Sequence, residues 1–203
     1  MKKTKEEAAF TRKLILDSAL KVFSQKGYSA ARLEDVAKHA GLTRGAIYWH
    51  FKNKHDLYCT LYKELSARAV KRIDEILKSE KTPLSKIRQL MREGFVYLEE
   101  DEEYRAFEEI TLFKMEPPEK FKKMFEIRSR FFLFIKESLA NLIREGITAG
   151  EIDAVIDPDI TALAMMSYIS GVKNIWLKNT TAFSPKKYAE NLIQVFFTGI
   201  TKK

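Results

Sequence analysis

The chain has 203 residues, 45% of them apolar, 12% aromatic and 32% charged, with a formal net charge of +8. That length excludes an enzyme built on several separate cores, and that apolar share excludes a disordered chain. Eight Gly and five Pro are too few for an all-β domain that turns about every ten residues, so an all-α fold is expected.

The first helix opens with Thr4 and Glu7 as a capping box. It carries Leu14, Ile15, Ala19, Val22 and Phe23 on one face and ends at Gly27. A short second helix spans residues 33 to 40, with Glu34 and Asp35 suiting its N-terminal dipole and Gly41 breaking it. Thr43 caps a third helix from Arg44 to Phe51, roughly 12 Å long. Asn53 caps a fourth running to about Lys78. Thr82 and Pro83 start a fifth, with Leu84, Ile87, Met91, Phe95 and Leu98 on one stripe. Asp101 caps a sixth, which stops before Pro117-Pro118. The seventh runs from about Glu119 to Gly146, and Phe121, Phe125, Phe131, Phe132 and Phe134 wrap more than one of its faces, which predicts a central helix. Asp157-Pro158 and Ser184-Pro185 start the eighth and ninth. The expectation is about nine helices, divided into residues 1–53 and 54–203.

Charge is not spread evenly. Residues 1–58 hold twelve Lys and Arg against six acids, or +6, which leaves +2 for the other 145 residues. A concentrated basic segment predicts an acidic partner there. The single cysteine, Cys59, forms no internal disulfide, and no basic start followed by an apolar signal core is present, so a cytoplasmic location is expected. The longest nearly continuous apolar run, Ile160 to Val172, covers 13 residues and is too short for a membrane span.

Two short helices broken by Gly41 are what a helix-turn-helix needs, with Ala37 small where they approach. Val36, Ala40, Leu42, Ile47 and Phe51 supply its apolar side. Thr43, Arg44, Gly45, Tyr48 and Trp49 are left to project from the start and outer face of the second of the two helices. A recognition helix reads base edges from such residues. Arg44 has the fork for guanine O6 and N7, and Thr43 suits a phosphate or a thymine methyl. Tyr48, His50, Lys52 and Lys54 would meet the sugar-phosphate backbone. The alternative is a packing element with Tyr48 and Trp49 half in the core.

The stretch from Leu33 to Lys54, LEDVAKHAGLTRGAIYWHFKNK, resembles the DNA-binding motif of TetR-family transcriptional regulators. The segment from Thr43 to Phe51 is most similar to the branch of AcrR- and TtgR-type repressors of multidrug efflux genes. The resemblance implies a three-helix DNA-binding domain joined to a helical domain that binds a ligand and forms a homodimer on an inverted-repeat operator. It implies DNA contacts at Thr43, Arg44, Gly45, Tyr48, His50 and Lys54, with Trp49 and Lys52 beside them. Where relatives begin the second helix with paired Thr or Ser, this chain has Ala31-Arg32, and Arg32 becomes either a substitute contact or a solvated arginine.

Ile160, Leu163, Met166, Ile169, Leu192, Val195 and Phe196 of the last two helices are the candidate dimer interface, with small residues such as Ala164, Gly171 and Gly199 permitting close approach. Met91, Phe95, Phe107, Leu112, Phe131, Phe134 and Trp176 are either plain core or the lining of a cavity for a hydrophobic or aromatic effector. Glu108 either points into that cavity or pairs with a surface lysine. The acid run from Glu99 to Glu103 reads as a solvated corner, and Cys59 as packing or neutral surface. His39, His50 and His55 lack cysteine or carboxylate partners at metal-ligand spacing, and neither a cofactor motif nor a nucleophile motif is present. The expectation is a ligand-responsive regulator, not an enzyme. The alternative is a nucleoid or interaction protein without a ligand.

Overall fold

A computed structural model describes residues 4–113 and 122–198. Among these the elements are α1 (Lys5–Ala30), α2 (Leu33–Ala40), α3 (Arg44–His50), α4 (Lys54–Leu77), α5 (Pro83–Glu100), α6 (Glu102–Phe113), α7 (Lys122–Thr148), α8 (Pro158–Lys178) and α9 (Ala189–Phe197). The predicted stop at Pro117-Pro118, the seventh helix's start at Glu119, Phe121 and Gly199 lie outside the described residues.

The local signals explain most boundaries. Thr4 and Glu7 exchange backbone-to-side-chain hydrogen bonds of 3.2 and 2.9 Å. Gly27 sits at φ 76, ψ 158 inside the α1 span, so the continuous helix ends there as its sequence implies. Thr82 and Asp157 accept the N–H of the third residue of α5 and of α8, each followed by the proline tolerated at the first helical position.

Contacts divide the chain into two units, residues 1–67 with 103–127 and residues 68–102 with 128–203. The boundaries fall inside α4, after the first residue of α6 and inside α7. The first unit has a core of Ile15, Leu16, Phe23, Val36, Ile47, Leu57 and Tyr58, closed by Phe107 and Ile110 from α6. Phe23, Tyr28, Tyr58 and Phe107 form a ring cluster with centroids 4.9 to 5.9 Å apart. The second unit closes around Ile87, Met91, Phe95, Ile143, Met165, Ile193 and Phe197. There Gly94 lets α5 and α8 approach closely, since a Cβ at that position would stand 2.9 Å from Ile169 Cγ2.

Two expectations are corrected and a third gains detail. The aromatic start of α7 is not central, because Phe125, Phe132 and Phe134 are exposed and its fully buried residues begin only at Leu139. The cap signal at Ser184-Pro185 makes a turn and not a helix start. Ser184 Oγ accepts the Lys187 N–H there, and α9 begins at Ala189. The acid run forms a partly exposed corner between α5 and α6, and it also makes contacts. Glu99 accepts Ser184 Oγ–H and the Lys186 N–H, Glu100 pairs with Lys186 at 2.7 Å, and Asp101 faces Arg68. Glu99 and Glu100 hold the turn that leads into α9, and Lys186 keeps the Glu100 carboxyl below its ordinary pKa.

Candidate nucleic-acid interface

The helix-turn-helix is built from local chemistry. Gly41 ends α2 at φ 65, ψ 30, the left-handed conformation that a side chain resists, and its N–H caps the Ala37 and Lys38 carbonyls. Thr43 Oγ1 then accepts the Ala46 N–H at 3.2 Å and starts α3. Ile47 is fully buried and anchors α3 from one side only. Everything else on this seven-residue helix faces outward or sits at its margin.

What faces outward is chemically specific. Arg44 is exposed, with Nε 3.0 Å from Glu34 Oε1, a terminal nitrogen 3.4 Å from the Tyr48 hydroxyl, and its guanidinium carbon 5.4 Å from the Tyr48 ring centroid. Trp49 is 69% exposed and meets the edge of the half-buried His50 ring at 4.4 Å. Gly45 is not required by the fold, for a Cβ built there meets nothing closer than Thr43 Oγ1 at 3.9 Å. A glycine inside a helix costs about 1 kcal/mol relative to alanine. Its use at an open surface position suits the close approach of something outside the chain.

The remaining sequence-derived contacts fall differently. Lys52 is exposed, and its N–H donates to Asp56. Lys54 Nζ donates to the carbonyls of Tyr28, Ser29 and Ala31 at 2.7 to 3.1 Å and lies 4.5 Å over the Tyr28 ring. An ammonium has three donors, so this lysine ties the end of α1 to the start of α4 in place of reaching outward. Arg32 is exposed, and its N–H donates to Asp35, whose carboxyl is held below its ordinary pKa first by Lys26 at 2.6 Å and then by that N–H. Arg32 provides no side-chain cap for α2, and Asp35 supplies only the reciprocal contact to the Arg32 N–H. Sequence reasoning missed Glu34 as a partner of Arg44, although both flank the motif's turn. It also missed that His55 and Cys59 stand at i, i+4 on α4, where the Sγ of the buried Cys59 lies 3.4 Å from Nε2 of the half-buried His55.

The candidate effector residues are not gathered in one unit. Phe107, Glu108 and Leu112 belong to the first, where Phe107 stacks on Tyr58, while Met91, Phe95, Phe131, Phe134 and Trp176 belong to the second. Met91, Phe95 and Trp176 are buried, and Phe134 and Leu112 are exposed. A cavity of about 460 Å³ in the second unit is lined by Arg72, Glu75, Ile76, Ser79, Lys81, Gln89 and Glu93. The candidate dimer residues also separate. Ile160, Leu163 and Val195 are exposed, whereas Met166, Ile169, Leu192 and Phe196 pack against their own core. Among the described residues no cluster of three or more His, Cys, Asp or Glu could hold a metal ion, and no helix is long and apolar enough to cross a membrane.

Comparison with known proteins agrees with this geometry. Residues 15–59 match the family model for bacterial regulatory proteins of the tetR family, and residues 82–201 match that of the C-terminal region of MAATS-type transcriptional repressors. The HTH-type transcriptional regulator AcrR of Shigella flexneri is 33% identical over 96% of this chain and 91% of its own length. The crystal structure of NalD, the secondary repressor of the MexAB-OprM multidrug efflux pump in Pseudomonas aeruginosa, superposes with a TM-score of 0.85 at 29% identity, covering 98% of this chain and 100% of that one. The complex of triclosan with SmeT, repressor of a Stenotrophomonas maltophilia multidrug efflux pump, does so with a TM-score of 0.82 at 25% identity, covering 95% and 92%.

Proposed function

Because the chain belongs to the tetR family of bacterial regulatory proteins, we propose that it is a cytoplasmic repressor that binds an inverted-repeat operator as a homodimer and releases it when a small hydrophobic or aromatic effector binds. The observation that carries this reading is the outer face of α3. Arg44, Thr43, Tyr48, Trp49 and an open Gly45 project from a helix whose single buried side chain is Ile47. Arg44 reads a guanine, Thr43 and Gly45 let the helix start approach the groove, and Tyr48, His50, Lys52 and Arg32 engage phosphates. Lys54 contributes by fixing the α1–α4 corner.

One seven-residue helix reads too few base pairs for a unique site, so two copies are needed, and two-fold pairing turns the operator into an inverted repeat. The exposed Ile160, Leu163 and Val195 of α8 and α9 supply the pairing face. Gly171 lies on the same two-helix surface with open space at its Cβ position, which lets a facing helix come close. Likeness to a repressor solved with triclosan supports an apolar aromatic effector, and likeness to NalD supports an efflux system as the regulated target. The effector acts by binding one arrangement of the α3 helices better than the other, with α4 contributing residues to both units.

Selection of duplexes from a random DNA pool by the purified protein tests this directly. An inverted repeat is expected, and it is released on addition of triclosan or a similar phenol. Salt-sensitive binding with no common sequence would leave only phosphate contacts and would favour a nucleoid protein.

A further inference from the structure

We propose that Glu34 is a positioning residue for base reading. From the first turn of α2 its carboxylate holds Arg44 so that the guanidinium meets a guanine end-on. This rests on the reading of α3 as the DNA-contacting helix. Arg44 is held at three points from two helices, by Glu34 Oε1 at 3.0 Å from Nε, by the Tyr48 hydroxyl at 3.4 Å from a terminal nitrogen, and by the Tyr48 ring beneath the guanidinium. A guanidinium has five N–H donors, and its side edge, Nε–H with one terminal N–H, is one of the two ways it can pair bidentately. Glu34 takes that edge at Nε, and Tyr48 lies at one terminal nitrogen. The end of the fork, formed by the two terminal nitrogens, is the edge that matches guanine O6 and N7.

Glu34 suits the α2 dipole, as any acid in that turn would, but it makes no capping hydrogen bond. Asp35 already accepts the Arg32 N–H at the start of α2 and is paired with Lys26. Affinity for DNA does not account for Glu34, since an acid on a phosphate-facing surface weakens binding to every sequence alike. An exposed carboxylate there trades general attraction for discrimination, because a long arginine left free could satisfy itself on any nearby phosphate.

The test uses the full chain and the duplex that the unaltered protein recovers from a random pool, alongside the same duplex with each half-site guanine replaced by adenine and a scrambled duplex. Glu34→Ala is expected to lower the guanine-over-adenine preference about tenfold while binding the scrambled duplex a few-fold more tightly. Glu34→Gln, whose amide oxygen still accepts the Nε–H, is expected to keep most of the preference and share the gain on scrambled DNA. In an Arg44→Ala background, Glu34→Ala should leave the base preference unchanged. An unaltered guanine preference in Glu34→Ala, or an equal loss of preference without Arg44, overturns the proposal alone. Failure of the unaltered protein to enrich any sequence overturns the reading of α3 and this proposal with it.

Discussion

Both units leave apolar side chains in water, and what surrounds them separates two kinds of surface. On α3 the exposed side chains are aromatic, Tyr48 and Trp49, and they stand beside Arg44, Thr43 and Lys52. On α8 and α9 they are aliphatic, Ile160, Leu163 and Val195, among the exposed small residues Ala164, Ser167 and Gly171. The first set suits a polyanion with base edges, and the second suits another helix of the same kind. Glycine draws the same line. Gly94 is fixed by its own interior, where Ile169 fills the space, whereas Gly45 and Gly171 have open space where a Cβ would go. A glycine that packing does not require marks a surface that something else approaches.

The largest effect should come from the support under the first surface. Ile47→Ala removes the only buried side chain of α3 and is expected to cost about 2–5 kcal/mol, read by denaturant unfolding. A cost near zero would mean α3 is not anchored as described. On the second surface, Leu163→Lys would bring like charges together at a two-fold contact. It is expected to weaken self-association about 100-fold in sedimentation while leaving the monomer folded. Unchanged self-association would remove α8 from the pairing face. Arg44→Ala separates function from folding. Loss of about 1–3 kcal/mol in sequence-specific binding is expected, with the unfolding curve unmoved.

Gly45→Ala and Gly171→Ala sharpen the glycine contrast. Each should raise monomer stability by up to about 1 kcal/mol, yet the first should weaken DNA binding and the second dimerisation. Stabilisation with both activities intact would show that neither surface is approached closely. The smallest effect is one of pH. Asp159 is held below its ordinary pKa chiefly by the hydrogen bond from Lys136, with Arg144 adding a second pairing, so α7 and α8 are tied together. A depressed carboxyl stabilises the folded state above its unfolded pKa, and that contribution is lost as pH falls through the folded one. Asp159→Asn should therefore flatten the acid side of the stability profile and leave neutral DNA binding unchanged.

The same contrast explains what the sequence could convey. The helix-turn-helix was legible because its determinants are local. Thr43 caps, Gly41 turns left-handed, and Ile47 and Val36 face inward, all within about fifteen residues of one another. The helical stops and starts of the second unit were legible for the same reason at Thr82 and Asp157. Its surfaces were not. Whether Ile169 faces a partner or fills the space over Gly94 depends on α5, some seventy-five residues earlier in the chain. Likewise the aromatic start of α7 signals burial by composition, and only the packing of neighbours reveals that Phe125, Phe132 and Phe134 are exposed. The contacts of Glu99 and Glu100 were not legible because their partners, Ser184 and Lys186, lie more than eighty residues away. Even inside the motif, the pairing of Glu34 with Arg44 crosses a turn, and no periodicity announces it.

The most direct test of the two-surface account is to count chains on the recovered duplex and then insert five base pairs, about half a helical turn, between its half-sites. Two chains per duplex and a collapse of affinity on insertion are the predicted result, because one rigid pairing face would set the distance between two reading helices. A single chain per duplex, or affinity indifferent to the insertion, would contradict it.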